Sequence, residues 1–280
     1  MAGRGLKRTI VYAVLIITAL LMIGPFYWMV ATSFKLPDDV FASPPKWIPS
    51  PWTLQNYHDV FTLFPFTRFF LNSVVVAALV VGLNVVFDTA AAYAFAKLRF
   101  PGRDAIFFLF LITLMVPYQV NLIPLYRIMV RLHQISPLLG IDSYFGLIAP
   151  SAIQVFGVFI MRQFLRSIPD EILESARVDG ASEFRILRSI VFPIAAPGMA
   201  TLAIFTFVGA WNDFFWPLIV TTSDNWRTLP VGVALLARRN TVNWGATMAG
   251  TTITAIPMIL VFLLLQRRFI EGLTAGAVKG

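Results

Sequence analysis

Residues 174–197 read Glu-Ser-Ala-Arg-Val-Asp-Gly-Ala-Ser-Glu-Phe-Arg-Ile-Leu-Arg-Ser-Ile-Val-Phe-Pro-Ile-Ala-Ala-Pro, and this polar stretch lies between long apolar runs. Gly180 stands where a first short helix should end, because glycine accepts the left-handed conformation at little cost. Ser182 can cap a second helix, which Pro193 and Pro197 should bend on its way into the next apolar run. The stretch therefore predicts a rigid helix–turn–helix element, called here the knob (residues 167–192), and an amphipathic loop lying on the lipid headgroups fits the same residues.

The composition is that of a polytopic membrane protein. Hydrophobic residues make up 58% of the 280 and charged residues 13%, and the apolar residues are gathered in long uncharged runs. The formal charge of +8 fits basic residues that flank membrane spans, and no basic stripe with interleaved aromatic residues suggests nucleic-acid binding. Cysteine is absent, which excludes disulfides, thiol catalysis and thiolate metal ligands.

Six uncharged runs are long enough to cross a bilayer, which takes about 20 apolar residues in a helix. They are Thr9–Phe34, Phe69–Phe87, Ala105–Tyr126, Ser143–Met161, Ser189–Asn212 and Asn240–Gln266. We expect the second to continue to about Ala96 and the sixth to start near Ala249. The first is longer than the core of a signal peptide, which favours an uncleaved anchor. The sequence therefore predicts an all-α membrane protein with six transmembrane helices.

The basic residues predict the orientation. With the N-terminus inside, 14 of the 22 Lys and Arg residues fall in cytoplasmic segments and 8 in external ones. We therefore expect both termini and the knob to be cytoplasmic. The predicted divisions are an N-terminal segment at 1–8, a membrane domain at 9–268 with its core at about 69–266, and a C-terminal tail at 269–280.

Two external segments have a distinct composition. Phe34 to Arg68 contains six prolines, which disfavour helix and predict extended chain and short turns. Thr221 to Trp244 contains tryptophan and arginine, the residue types that dominate binding hot spots. A solvated loop and a docking surface both fit these segments.

The spacing within the knob resembles the Glu-Ala-Ala loop of binding-protein-dependent ABC importer permeases. The matching positions are Glu174, Ser175 and Ala176, then Asp179, Gly180 and Ala181, then Ile190, Pro193 and Pro197, with serine where the family has its middle alanine. Residues 115–126, 211–218 and 272–280 are similar to the third span, the outer end of the fifth span and the tail of carbohydrate-type members, including the six-span permease of maltose transporters. The resemblance covers nearly the whole chain.

The resemblance implies a type I ABC importer permease fold in a bacterial or archaeal cytoplasmic (inner) membrane. A second homologous permease, two ATPase subunits and an extracytoplasmic solute-binding protein would be its partners. The ATPases would use ATP and Mg, with no cofactor on this chain. Their closure would drive alternating access for a sugar or sugar-like solute of the di- or oligosaccharide or glycerol-3-phosphate class.

The resemblance also assigns candidate residues. Those for ATPase coupling are Glu174, Ser175, Ala176, Asp179, Gly180, Ala181, Phe184, Ile190 and Pro193, with Thr274, Gly276 and Lys279 as a C-terminal ATPase contact. Those for a gate or binding-protein contact are Trp211, Asp213, Trp216, Arg238 and Arg239. Tyr118, Gln119, Asn121 and Asn212 have the hydroxyl, aromatic and amide groups that hold sugars, although polar residues in spans also join helices.

Two carboxylates lie within or beside the apolar runs, where charge is costly and often functional. Helix rise places Asp88 near the inner interface and Asp213 near the outer one, where we expect water to reach both. Each fits a local hydrogen-bonded carboxylate, and Asp213 also fits a gate.

The sequence argues against an enzyme. It has no G-x-x-x-x-G-K-[ST] phosphate loop, so ATP hydrolysis is expected on another chain. His58 and His133 lack the spacing of metal ligands, and we find no nucleophile–base pair. The alternatives are a secondary transporter driven by an ion gradient, which would be expected to carry inverted repeats, and a membrane interaction or insertase protein without a solute path.

Overall fold

A computed structural model describes the chain over residues 2–236 and 243–275, with side chains over 8–236 and 243–266. Throughout these ranges the regular structure is helical. The helices are α1 (Ala2–Ser33), α2 (Pro37–Val40), α3 (Gln55–Thr62), α4 (Phe66–Lys97), α5 (Arg103–Ile112), α6 (Tyr118–Ile135), α7 (Tyr144–Ile148), α8 (Val155–Arg166), α9 (Asp170–Val178), α10 (Glu183–Ile186), α11 (Phe192–Ile194), α12 (Ala196–Asn212), α13 (Phe215–Val220), α14 (Leu229–Leu236) and α15 (Trp244–Ala275). Short 3-10 turns follow α5 and α7, and a π-helical turn (Leu187–Val191) joins α10 to α11.

The chain divides into two units, Met1–Thr67 with Gly232–Ile256 and Arg68–Val231 with Pro257–Gly280. In the first unit, the proline-rich segment predicted as extended chain also contains the short helices α2 and α3. It is tied to the end of α1, because the Asn56 amide donates to the carbonyls of Ser33 (2.9 Å) and Lys35 (2.8 Å). The Tyr27 hydroxyl donates to the Trp47 carbonyl at 3.0 Å. These bonds hold the irregular segment against one helix end.

Among the described residues, three helices are long and apolar enough to cross a membrane, namely Arg8–Ser33, Phe66–Lys97 and Trp244–Gln266. The expectation that the second span continues past Asp88 is confirmed. The expected start of the sixth span near Ala249 is wrong, because the helix already begins at Trp244. Three bent helix pairs pass the same test only when each pair is taken as one span.

Two bent pairs correct the straight runs predicted at Ala105–Tyr126 and Ser143–Met161, and the third contains the bend predicted for Ser189–Asn212. The bends are 99° between α5 with its 3-10 turn and α6, 46° between α7 with its turn and α8, and 78° between Glu183–Ile194 and α12. Val116 is extended (φ −82°, ψ 117°) because the following Pro117 disfavours the helical conformation there. Proline chemistry thus explains the sharpest bend.

The second unit has two buried apolar clusters. One gathers Met161 and Leu165 of α8 with Leu173 of α9 and Ile186 of α10, so the knob is packed onto α8. The other surrounds Trp216 of α13, whose indole nitrogen donates to the Gly146 carbonyl at 2.8 Å. These clusters position the two candidate sites.

Candidate functional site

The knob turns at Gly180, which has a φ of +79°. The Ala181 amide donates to the Ala176 carbonyl and the Gly180 amide to the Arg177 carbonyl, both at 3.0 Å. This pair of bonds is the Schellman motif, in which a left-handed residue closes a helix. A side chain at residue 180 would meet no atom within 4 Å, so the need for glycine is conformational and not steric. The predicted glycine stop is confirmed.

The second arm of the knob begins and bends as predicted. The Ser182 hydroxyl accepts a hydrogen bond from the Arg185 amide at 3.4 Å, so the predicted cap of α10 is confirmed. The second arm continues through the π-helical turn to Ala195, where α12 turns away. Pro193 and Pro197 flank this bend, as predicted, because neither residue can supply a backbone donor.

The knob is bonded to the C-terminal end of α4. The Lys97 ammonium donates to the Ile168 carbonyl at 2.6 Å and to the Asp170 carboxylate at 2.5 Å. The Lys97 side chain is only 6% exposed, and its bond to Asp170 holds the pKa of that carboxyl below its ordinary value. The Tyr93 hydroxyl, one turn earlier, donates to Glu183. One face of α4 therefore holds both arms of the knob.

The turn is closed by an ion pair between Arg177 and Glu183, at 2.7 Å from Nε to Oε1. The hydrogen bond from Arg177 keeps the pKa of Glu183 below its ordinary value. Glu174 lies three residues before Arg177, but Arg177 instead pairs across the turn, where its two nitrogens reach both carboxylate oxygens. Glu174 is exposed and lines a cavity of about 560 Å³ that also involves Lys97 and Arg177.

The outer surface of the knob carries apolar side chains. Phe184 is 72% exposed and Val178 is 87% exposed, although both are apolar. Leu173 and Ala176 face the core instead. Ser175, Asp179 and Gly180 lie on the exposed side, while Ala181, Ile190 and Pro193 line or flank the second arm. An exposed apolar tip on a rigid support is typical of an interaction surface.

A second site lies where the helical chain is interrupted at two places, once within a bent pair and once after α12. Residues 152–154 separate α7 and its turn from α8, and residues 213–214 separate α12 from α13. The side-chain amide of Asn84 donates to the Ser151 carbonyl at 2.6 Å, and the Gln154 amide donates to Asp88 Oδ1 at 3.0 Å. Two buried polar side chains of α4 thus hold the first interruption.

A cavity of about 220 Å³ opens between the two interruptions and is called here the break cavity. Its lining includes Val76, Val80, Ser151, Gln154, Gly209 and Asp213. Asp213 follows α12 directly, and the backbone amides of Phe215 and Trp216 donate to its carboxylate. The cavity therefore has one apolar wall and several polar groups.

The other residues predicted for the substrate path, the gate and the C-terminal contact do not line the break cavity or lie outside the described residues. Tyr118, Gln119, Asn121 and Asn212 are exposed and are not part of the lining of the break cavity. The Asn212 amide donates to the Val208 carbonyl at 2.9 Å. Trp211 and Trp216 are buried within this chain, where Trp211 stacks on Phe207 with centroids 5.6 Å apart. Arg238, Arg239, Gly276 and Lys279 lie outside the described residues, and Thr274 lies in α15 without a described side chain.

The sequence reasoning missed Asn84, Ser151 and Gln154. The available signal was the polar pair Asn84 and Asp88, which are four residues apart and so share one helix face. The expectation that water reaches Asp88 is wrong, because the residue is 0% exposed. Depth along one helix could not reveal that α8 covers the carboxylate.

Residues 88–274 match the family model described as binding-protein-dependent transport system inner membrane component. The chain belongs to this family. The match includes the knob and both interruptions, and it confirms the resemblance to importer permeases. The chain is therefore a permease component of a binding-protein-dependent transport system and a multi-pass inner membrane protein.

Several related permeases align with most of the length of this chain. It is 36% identical to an arabinooligosaccharides transport system permease protein of Halalkalibacterium halodurans, over 83% of this chain and 81% of that one. It is 33% identical to a diacetylchitobiose uptake system permease protein of Streptomyces coelicolor, over 92% of both. It is 32% identical to an sn-glycerol-3-phosphate transport system permease protein of Escherichia coli, over 94% of both.

The fold is also similar to a solved structure. A chain of a bacterial ABC transporter involved in the import of the acidic polysaccharide alginate superposes with a TM-score of 0.80. The match covers 94% of this chain and 96% of that chain at 24% sequence identity. This chain therefore shares the fold of that solved chain.

Proposed function

We propose that this chain is one of two permease subunits of an ATP-driven ABC importer for a sugar or sugar-like solute. The observation that carries the proposal is the knob: a rigid turn with an exposed apolar tip, bonded through both arms to a long membrane helix. The family membership supports the transport role. The solutes named for its relatives are oligosaccharides, a disaccharide and glycerol-3-phosphate, which supports the same solute class here.

In the proposed topology each bent pair counts as one span, so the chain has six spans and both termini lie on the same side of the membrane, which is the cytoplasmic side. The membrane domain extends over 9–268, with cytoplasmic segments at 1–8 and 269–280. The excess of basic residues in the inside segments supports this orientation. The knob then faces the ATPase subunits, and the segment from Thr221 to Trp244 faces the solute-binding protein.

The mechanism follows from the stiffness of the knob. Closure of the ATPase dimer on ATP and Mg moves the knob through its exposed face, which includes Glu174, Gly180 and Phe184. The Lys97–Asp170 and Tyr93–Glu183 contacts pass this movement to α4. Because α4 also lines the break cavity, this movement can change access to the solute path. ATP hydrolysis itself takes place on the partner subunits, and the C-terminal residues Thr274, Gly276 and Lys279 contribute a further contact to them.

Uptake by proteoliposomes tests the proposal. The full complex should accumulate solute only with internal ATP and the binding protein. Gly180→Val should abolish ATP-driven uptake, because a β-branched side chain in the left-handed region costs about 1–2 kcal/mol and reorients the second arm. Gly82→Val is the matched control, since residue 82 also has open space around it but lies within α4. Uptake driven by an ion gradient with this chain alone would instead establish a secondary transporter.

A further inference from the structure

Residues 152–154 interrupt the bent pair formed by α7 with its turn and α8, and irregular backbone within a membrane span is unusual. Irregular backbone leaves amides and carbonyls without helical partners, and lipid offers none. Such backbone is therefore found where protein covers it or where it borders an aqueous cavity. Here Ser151 and Gln154, which lie at the first interruption, and Asp213 of the second border one cavity.

Buried polar residues stabilise this arrangement from behind. Asn84 and Asp88 are 0% exposed and bond to the backbone on either side of the first interruption. Within the described part of the chain, Asn84 Oδ1 and Asp88 Oδ2 have no hydrogen-bond partner, so burying this pair is costly. A fold retains such a cost when it fixes the geometry of a site. The fixed geometry here is that of Ser151 and Gln154.

The lining has the chemistry of a sugar-ring site. Ser151 and Gln154 offer a hydroxyl and an amide, Asp213 offers a carboxylate, and Val76 and Val80 form an apolar wall. A pyranose has matching groups, with hydroxyls around its edge and C–H groups on its faces. The volume of about 220 Å³ lies below the roughly 300–1,000 Å³ typical of drug-sized ligands, which limits the occupant to about one ring.

The charge of the lining restricts the occupant further. Of the described residues around the cavity, none is Lys, Arg or His, and Asp213 is an acid. A carboxylate accepts hydrogen bonds from sugar hydroxyls but repels a phosphate or a second carboxylate, and the repulsion is strong where water is scarce. An anionic solute would find a fixed negative charge and no cation to balance it.

We propose that the break cavity is a solute subsite for one uncharged sugar ring, and that Asp213 selects against anionic solutes there. This inference rests on the proposed function and narrows it. Within the solute class left open above, it assigns this permease to neutral carbohydrates and excludes sugar acids and glycerol phosphates.

The absence of cysteine allows a direct test with a single introduced thiol. Ser151→Cys places that thiol in the cavity lining, and Thr62→Cys places one on an exposed residue of the other unit. Both are examined in the assembled complex, at rest and with ATP and vanadate. The probes are a cationic and an anionic methanethiosulfonate reagent of similar size.

We compare the ratio of the cationic to the anionic reaction rate at residue 151 with the same ratio at residue 62. In at least one state we expect this ratio to be about tenfold higher at residue 151. Asp213→Asn should bring that ratio close to its value at residue 62, whereas Asp213→Glu should keep it. Size-exclusion chromatography of the complex checks that each variant assembles, and the glutamate variant keeps the test valid if the asparagine variant does not.

Two outcomes would overturn the subsite. One is a thiol at residue 151 that reacts with neither reagent in either state, which would show that the cavity is closed to solvent and solute. The other is reaction without charge preference. ATP-driven uptake by the complex with the unaltered permease, measured in vesicles of the same kind, separates the two proposals: if uptake persists while the charge preference is missing, the subsite is wrong and the importer function stands.

Discussion

Replacing Gly157 with alanine tests how the interruption in the fourth predicted span is held. A methyl group at this position would overlap Asp88 Oδ2 and would approach both Asp88 Cγ and Leu202 Cδ1 to 2.9 Å. All three residues lie in the second unit. The carboxylate therefore lies directly against the backbone of α8, where only glycine leaves room.

The expected cost has two parts. Overpacking a buried site costs about 1–3 kcal/mol. Displacing the carboxyl group also removes its hydrogen bond to the Gln154 amide, and such a hydrogen bond contributes about 0.5–1.5 kcal/mol. We therefore expect Gly157→Ala to destabilise the protein by about 2–4 kcal/mol. Gly82→Ala is the matched control, since nothing lies within 4 Å of its position and alanine favours helix.

The assay is reversible unfolding of the purified protein by denaturant in detergent micelles. Asp88→Ala alone should cost about 1–3 kcal/mol, because it leaves the buried Gln154 amide without its acceptor. The double variant with Gly157→Ala should cost less than the sum of the two, since removing the carboxylate frees the space for the new methyl group. If Gly157→Ala were as stable as Gly82→Ala, or if the two costs simply added, the proposed contact would be wrong.

Three further predictions concern the knob. Lys97 lowers the pKa of Asp170, so their contact stabilises the knob fully above the unfolded carboxyl pKa of about 4. This stabilisation is lost as the pH falls through the lower pKa of the folded state. Limited proteolysis should therefore cut the knob faster in acid. Phe184→Ala should change the free energy of unfolding by less than about 0.5 kcal/mol, because the side chain is exposed in this chain. It should weaken binding of the ATPase subunits about tenfold or more, because a phenylalanine that becomes buried on binding contributes about 1.5–3 kcal/mol. Tyr93→Phe removes the hydroxyl that bonds Glu183 and should reduce solute uptake per ATP hydrolysed while the ATPase subunits still bind.

Each of these predictions has its own control. Asp170→Asn should make proteolysis of the knob insensitive to acid over the same range, and persistence of the full acid effect would assign it to another group. For Phe184, equal ATPase binding by the alanine variant in a pull-down would remove this side chain from the docking surface. For Tyr93, unchanged coupling would show that the Lys97 contact is sufficient to join the knob to α4.

The local features of the knob could be predicted from sequence because short-range chemistry decides them. Gly180 closes α9 since its left-handed conformation is unfavourable for other residues, and Ser182 caps α10 since its hydroxyl reaches the next turn. Neither feature depends on distant parts of the chain. Hydrophobic runs likewise predicted the long helices α1, α4 and α15, because lipid requires apolar length and little else.

The tertiary structure decided which distant groups meet. Arg177 pairs with Glu183 and not with nearby Glu174, because the turn brings the two arms together. Asp88 is buried because α8 lies against it at Gly157, and no pattern along α4 carries that information. The break cavity depends on Ser151, Gln154 and Asp213, which approach one another only when the helices that precede and follow them pack side by side. Sequence determines local conformation through steric and hydrogen-bonding preferences of neighbouring residues, whereas a site built from several helices exists only after those helices have packed.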